Sequence, residues 1–287
     1  MQILTNPHAL RQWHTEQHRA GLRIGVVPTM GALHEGHLQL VDQIRPHADR
    51  VVVTIFVNPL QFGPNEDFGR YPRQFPTDCA LCEARGVDAV YHPDVPGMYP
   101  DGFQTHVEVE QVSQRWCGAS RPGHFRGVAT VVLKLLNQTG ADVAIFGQKD
   151  WQQLQVIRQM CRDLDHPAEI LGAPIVREPD GLAMSSRNVY LSAEQRSNAL
   201  AISKGLWHLQ QQVASTARAP AELQAELLAT IAASGGQPEY VGLVQAESLE
   251  PLDDFSVAGR ALVAARYGAT RLIDNVELPV RDVQAKP

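Results

Sequence analysis

Arg23-Ile-Gly-Val-Val-Pro-Thr-Met-Gly-Ala-Leu-His-Glu-Gly-His-Leu-Gln-Leu-Val41 changes its periodicity partway along. Ile24 to Val27 is a short apolar run of the kind that forms a buried parallel strand. Pro28 lacks an N–H and is expected to stop the ladder, and Gly31 permits a tight turn. From Gly36 the apolar spacing becomes Leu38, Val41, Ile44, a helical face. Strand, small-residue turn and helix start is where an open α/β sheet binds anions on free backbone N–H groups. His34 and His37 sit at that start, with Gly36 beside the second. No Gly-Lys-Ser/Thr follows and no Gly-x-Gly-x-x-Gly is present, so neither common phosphate fingerprint applies. Taken alone, the histidine pair is equally a helix start without chemistry, or half of a zinc site.

Outside this stretch the chain has the texture of a globular protein, with 44% apolar and 20% charged residues among 287. That length allows one large or two ordinary domains with a sizeable core. A formal net charge of −6 supplies no basic face for nucleic acid. No apolar run approaches the roughly 20 residues that span a bilayer. Met1-Gln-Ile-Leu-Thr-Asn-Pro-His8 contains neither a signal core nor a cleavage site. Four cysteines without framework spacing point to the reducing cytoplasm. Cys79-Ala-Leu-Cys82 lies inside a helical pattern rather than at a strand-to-helix turn, which favours two helix thiols over a redox or zinc pair.

In chain order, residues 3–20 read as a first helix after the Asn6-Pro7 cap signal. Val51 to Val57 is a second buried strand, ending in the polar loop Asn58-Pro-Leu-Gln-Phe-Gly63. A helix around Asp78–Arg85 and a strand Val87–Tyr91 follow. Alternating Thr105, Val107 and Val109 suggest an edge strand. Gly118 to Gly127 is basic and glycine-rich and opens an apolar helix, Val128 to Leu136. Asp142–Phe146 is a strand running into Gly147-Gln-Lys-Asp150 and the helix Trp151–Leu164, then a short strand at Glu169–Leu171. This alternation predicts an α/β fold with a doubly wound, Rossmann-like parallel sheet, its ligand loops after three strands on one edge. After Val176 the texture changes. Ser192-Ala-Glu-Gln195 is a capping box for a helix to Val213, Pro220–Ala233 is another helix, and three short strands follow near 239–245, 260–267 and 271–274. The expected organisation is residues 1–176 as a Rossmann-like ligand-binding domain, and 177–287 as a smaller α+β domain acting as a lid.

Lys149 and Asp150 stand where a strand meets a helix. Met184-Ser-Ser-Arg187 adds two hydroxyls and a guanidinium in what reads as a mobile loop. Lys offers a point charge and Arg a fork, both suited to phosphate. Singly, the first is a helix cap and the second a solvated linker. Joined to His34, Gly36 and His37, they describe a triphosphate site contributed by both halves of the chain.

His34-Glu-Gly-His37 followed by Met184-Ser-Ser-Arg187 resembles the HxGH and KMSKS-type signatures of the nucleotidyltransferase superfamily. Pro28 to His37, Asn58 to Gly63, Arg121-Pro-Gly-His-Phe-Arg-Gly-Val128, Asp180 to Asn188 and Arg271-Leu-Ile-Asp-Asn275 together resemble the pantoate–β-alanine ligases over nearly the whole chain. The resemblance implies an AMP-forming ligase with ATP, pantoate and β-alanine as substrates, Mg2+ arriving with ATP, and a homodimer. It implies ATP binding by Pro28, Thr29, Met30, Gly31, His34, His37, Gly147, Lys149, Asp150, Val176, Met184, Ser185, Ser186 and Arg187. His37, His34, Lys149 and Arg187 would act in catalysis, Gln61 and Gln153 would hold pantoate, and Gln61 would also meet β-alanine. It makes Asp78 either a candidate outer ligand of magnesium or a solvated helix-surface carboxylate, and Val128, Val131 and Val132 either a pocket for the pantoate methyls or plain helix core. Family members commonly carry Gly-Glu-Lys-Asp where this chain has Gly147-Gln148-Lys149-Asp150. Two rival readings are a nucleotidyltransferase that stops at its nucleotide product and a silent ligand-binding regulator on the same fold. AMP release dependent on an amine acceptor separates all three.

Overall fold

The computed structural model describes residues 1–64 and 66–281, so the expected C-terminal domain, 177–287, ends in six residues outside the described ones. Along the chain run β1 (Gln2–Leu4), α1 (Pro7–Arg19), β2 (Ile24–Thr29), α2 (Glu35–Ile44), β3 (Arg50–Ile55), α3 (Phe75–Ala84), β4 (Ala89–Tyr91) and α4 (Val95–Met98). Then come α5 (Cys117–Ser120), α6 (His124–Thr139), β5 (Val143–Gly147), α7 (Trp151–Asp163), β6 (Glu169–Ala173), α8 (Ala193–Ser215), α9 (Pro220–Ala233), β7 (Gln237–Gln245), β8 (Gly259–Tyr267) and β9 (Thr270–Leu278). The chain divides into two compact units, Met1–Gln114 with Arg121–Gln148 and Gln153–Pro174, and Arg115–Ser120 with Lys149–Gln152 and Ile175–Pro287.

The first unit is a six-stranded sheet in the order β1-β4-β3-β2-β5-β6, parallel throughout. Alternation along the strands serves both faces. Val27, Val51, Val53, Ile55, Val143 and Ile145 join Leu40, Val41 and Ile44 of α2 and Cys82 of α3 in one core. The intervening Val26, Val52 and Ala144 are equally buried, and α1 and α6 pack on β2. From β2 the chain steps outward to β3 and β4, and on the other side from β5 to β6. The order therefore reverses between β2 and β5, the place where such sheets bind ligands outside their carboxyl ends.

Several expected boundaries shift. Residues 3–20 are not one helix: Gln2–Leu4 pairs with Ala89–Tyr91 at the sheet edge, and α1 begins only after Asn6 caps it through Ala9 N at 2.9 Å. Pro28 does not stop the ladder. It pairs with Thr54 of β3 beyond the point where β5 pairing ends at Val26, so its missing N–H costs no bond to β5. Residues 105–109 form no strand; Val107 N donates instead to Thr130 Oγ1 on α6, 2.9 Å away. The helix expected from Val128 starts at His124, after Gly123 with φ of 81°.

The second unit has an antiparallel sheet, β7-β8-β9, and the helices α8 and α9. Ala199, Ile202, Leu206, Leu209 and Val213 recur at helical spacing along α8. They share a core with Leu223, Leu227 and Ile231 of α9 and with Val241, Leu243, Val263, Ala265 and Leu272 of the sheet. Ser192 and Gln195 form the expected capping box. Among the described residues, no helix is long and apolar enough to cross a membrane.

Candidate active site

The turn after β2 is held from a distance in sequence. Asp78 on α3 is 1% exposed, and its carboxylate accepts hydrogen bonds from Ala32 N at 3.0 Å and Leu33 N at 2.8 Å. Gly31 has φ of 80° and Ala32 of 51°. A left-handed alanine costs about 1–2 kcal/mol, and two charge-assisted bonds at roughly 1.5–3 kcal/mol each hold it there. A Cβ on Gly31 would lie 2.9 Å from Asp78 Oδ2, so carboxylate and turn fit only with glycine. Thr29 Oγ1 bonds Thr54 O at 2.6 Å and accepts from Gly31 N at 3.2 Å. Asp78 is thus neither a solvated helix carboxylate nor set out as a magnesium ligand: backbone donors occupy it. Burial, the largest influence, raises its pKa against those bonds.

The turn delivers the chain to the start of α2, where the partial positive charge of a helix N-terminus gathers. His34 is the N-cap. Its Nδ1 accepts from Gly36 N at 3.1 Å, and His37 Nδ1 accepts from His34 N at 3.3 Å. Two Nδ1 acceptors leave both ring protons on Nε2, making each Nε2 a donor. The rings lie 4.1 Å apart between centroids.

Gln61 comes to the same place from β3. Asn58, 1% exposed, donates Nδ2 to Gln61 Oε1 at 3.0 Å and to Gly127 O at 3.1 Å. Its Oδ1 accepts from Leu60 N and Tyr99 OH. Gln61 Nε2 contacts Met30 Sδ at 3.1 Å, so a residue expected for pantoate touches one expected for ATP. The Gln61 carbonyl accepts from His124 Nδ1 at 2.8 Å, while His124 Nε2 faces Arg121 Nη1 at 2.9 Å. Arg121 forks Glu66 with both oxygens at 2.6 Å. Burial raises the Glu66 pKa, but the guanidinium overrides it and holds the carboxyl below its ordinary value. Gly127 is obligatory, since a Cβ there would sit 2.2 Å from Leu60 O.

Gly147 ends β5. Val26 pairs with Ala144, three residues before Gly147. Its φ is ordinary, and nothing lies within 4 Å of a Cβ built on it. Gln148 Nε2 donates to Gly172 O at 3.1 Å, a bond the glutamate common at this position could not donate. Gln153 is half-buried on α7, and Val128, Val131 and Val132 are buried on α6.

The second unit holds the remaining expected residues together. Lys149 Nζ donates to Met184 O at 3.0 Å. Burial lowers its pKa, Arg187 adds to the fall, and Asp150 and Asp274 oppose it. Ser185 Oγ accepts from Arg187 N at 3.3 Å and opens the 3-10 turn Ser186–Tyr190. The expected mobile loop is a short pinned hairpin. Met184 N bonds Val176 O at 3.0 Å, Arg177 and Ala183 bridge, and Asn188 ties Glu178 to Ala183. Gly181 has φ of 97°, and a Cβ there would meet Trp207 at 2.8 Å.

Among the described residues no group of three or more His, Cys, Asp or Glu could hold a metal. Cys79 and Cys82 are free thiols on α3, and burial pushes Cys82 up to about 12, so it offers no thiolate at neutral pH. Asp78, Asn58 and His124 are structural partners that local sequence gives no role. Asn58-Pro59 signals a turn, but nothing near Asp78 reports its contact with residues 46 positions earlier.

The comparisons with known proteins agree. A family model described as pantoate-beta-alanine ligase matches residues 2–277. The chain is 52% identical over 280 residues to the pantothenate synthetase of Sphingopyxis alaskensis, covering 98% of this chain and all of that one. A crystal structure of pantothenate synthetase from Thermus thermophilus superposes with a TM-score of 0.90 at 44% identity, covering 97% of this chain and 100% of that chain. A pantoate-beta-alanine ligase from Francisella tularensis, solved in complex with beta-gamma ATP and beta-alanine, gives 0.79 at 34% identity over 96% and 97% of the two chains. With its motifs seated on the same fold, this chain belongs to the pantoate–β-alanine ligase family.

Proposed function

We propose that this protein joins pantoate to β-alanine at the expense of ATP. One pantoate carboxylate oxygen attacks the α-phosphorus, the bond to the bridging oxygen breaks, and pyrophosphate leaves with that electron pair. The β-alanine amine then attacks the acyl carbonyl of pantoyl adenylate, loses a proton and expels AMP, leaving the amide. The observation that carries this reading is the Met30–Gln61 contact beside the histidine-capped start of α2. It supports a carboxylate acceptor held next to a polyphosphate.

Such chemistry needs alignment and charge neutralisation rather than a covalent nucleophile. Pro28, Thr29, Met30 and Gly31 bind the nucleotide by their backbone. His34 and His37 donate Nε2–H groups toward the phosphates, and His37 stabilises the charge that builds on departing pyrophosphate. Gly147 and Asp150 hold the ribose, and Val176 and Met184 contact the nucleotide. Open space at Gly147 supports this, because the protein itself does not require glycine there. Lys149, Ser185, Ser186 and Arg187 bind phosphate oxygens. Gln61 and Gln153 bind the pantoate hydroxyls and carboxylate, Gln61 later meeting β-alanine. Magnesium enters as MgATP, held by phosphates, in keeping with an occupied Asp78. In this reading the C-terminal α+β domain serves to exclude water from the acyl adenylate. The homodimer rests on the family resemblance alone, and a cytoplasmic setting on that resemblance and four free cysteines.

Mass spectrometry of the products from ATP, pantoate and β-alanine tests the reading. It requires AMP and the amide in equal amounts. AMP without amide, or a stable nucleotidyl product, overturns it.

A further inference from the structure

Arg271-Leu-Ile-Asp-Asn275 takes no part in the steps above, yet its last two residues are among the most buried polar groups of the second unit. Asp274 is 4% exposed and Asn275 2%. Arg177, at the base of the Val176–Met184 hairpin, forks Asp274 at 2.7 and 2.9 Å. Asn275 Nδ2 donates to Lys149 O at 2.9 Å, and Asn275 Oδ1 accepts from Arg260 Nη1 at 2.5 Å. The backbone N–H of Asn275 also donates to Asp274 Oδ1 at 2.8 Å, fixing the Asp274 carboxylate. Arg260 in turn lies over the Trp151 ring, 3.6 Å from its centroid, and Trp151 Nε1 donates to Ala246 O at 2.7 Å.

We propose that Asp274 and Asn275 are positioning residues that fix Lys149 and the Met184–Arg187 segment to one scaffold, so that both meet the same polyphosphate. This rests on the reading of Lys149 and Arg187 as phosphate ligands. Two cations repel before the anion arrives, so their spacing must come from the protein. One β9 dipeptide grips both ends of the Lys149 Nζ–Met184 O bond: the lysine's own carbonyl through Asn275, and the hairpin base through Asp274 and Arg177. The lysine keeps two further N–H donors for phosphate. Asn275 has no substitute. Its oxygen faces a guanidinium and its nitrogen a carbonyl, so aspartate would set an acceptor against Lys149 O, and an amide flip would mispair both ends. Asp274 also supplies countercharge that opposes the fall in Lys149 pKa caused by burial and Arg187.

The test uses two full-length variants, Asn275→Asp, which keeps shape and reverses the donor, and Arg177→Lys, which keeps charge and loses the fork. Pantoate-dependent ATP–pyrophosphate exchange reports the first step. Amide formation from synthetic pantoyl adenylate and β-alanine reports the second, which needs no triphosphate. Near-ultraviolet circular dichroism shows which variants fold, and either folded one suffices. The expected result is an exchange kcat/KM for ATP lower by roughly 10–100-fold, the usual loss when a group supporting a ligand site is removed, with the second step within about twofold of wild type. Equal losses in both steps would make the dipeptide merely structural and overturn the proposal, as would wild-type exchange in a folded variant. A wild-type protein without pantoate-dependent exchange would refute the phosphate reading itself, and the clamp with it.

Discussion

Gly127→Ala is the substitution whose outcome the structure specifies most closely. The new methyl would sit 2.2 Å from Leu60 O, and the least separation a real Cβ tolerates is 3.0 Å, so helix and turn must part by about 0.8 Å. The His124 Nδ1 bond to Gln61 O, now 2.8 Å, would stretch to about 3.6 Å and cease to be a hydrogen bond. Overpacking costs about 1–3 kcal/mol and the lost bond about 0.5–1.5 kcal/mol, while alanine returns about 1 kcal/mol of helix propensity. The net loss of roughly 0.5–3.5 kcal/mol leaves the protein folded with a lower melting temperature. Displacement of Gln61 by most of an ångström should cost up to about 10²-fold in kcat/KM for pantoate. If ATP lies against Met30, as proposed, its kcat/KM should fall much less. Steady-state kinetics with each substrate varied, beside thermal unfolding, measures both. An unchanged kcat/KM for pantoate in a destabilised variant would remove Gln61 from the acceptor site. A loss confined to ATP would move it into the nucleotide site.

Further perturbations give distinct signatures. Gly147→Ala should leave the melting temperature unchanged within about a degree, because apart from its chain neighbours no protein atom lies within 4 Å of the new Cβ, yet raise the KM for ATP; an unchanged KM would remove the ribose from that position. His37→Ala should lower adenylate formation by about 10²–10³-fold, the loss typical of one preorganised donor, measured by pre-steady-state AMP formation. Asp78→Asn exchanges one acceptor for a donor against the N–H groups of Ala32 and Leu33; it should cost about 1–3 kcal/mol of stability and raise the KM for ATP in steady-state assays. Cys82 is pushed up to about 12 from 9.0 in the folded state. The native protein therefore holds its proton where the unfolded chain releases it, so this stabilisation is complete below about pH 9 and falls as pH rises toward 12. Melting temperatures from pH 7.5 to 10.5 should decline less in Cys82→Ala than in wild type.

Much of this is legible in the sequence, for a local reason. Period-two and period-3.6 patterns are short-range properties, so β2, β3, β5, α8 and α9 announce themselves. His34 and His37 declare a helix start because the glycines around them have few other uses. The misplaced elements depend on distant partners. Gln2–Leu4 is a strand only because β4 offers it an edge, and the alternation at 105–109 finds no partner strand. The site divides in the same way. Lys149 and Arg187 could be picked out by their chemistry. Asp78, Asn275 and His124 act through hydrogen bonds to backbone far away in sequence, which no pattern around them encodes.

The central claim is that a carboxylate is activated on ATP before any amine takes part. Exchange of labelled pyrophosphate into ATP tests it directly. The account predicts exchange with ATP and pantoate alone, none with ATP and β-alanine alone, and abolition in Arg187→Ala. Exchange driven by β-alanine without pantoate would contradict the adenylate mechanism.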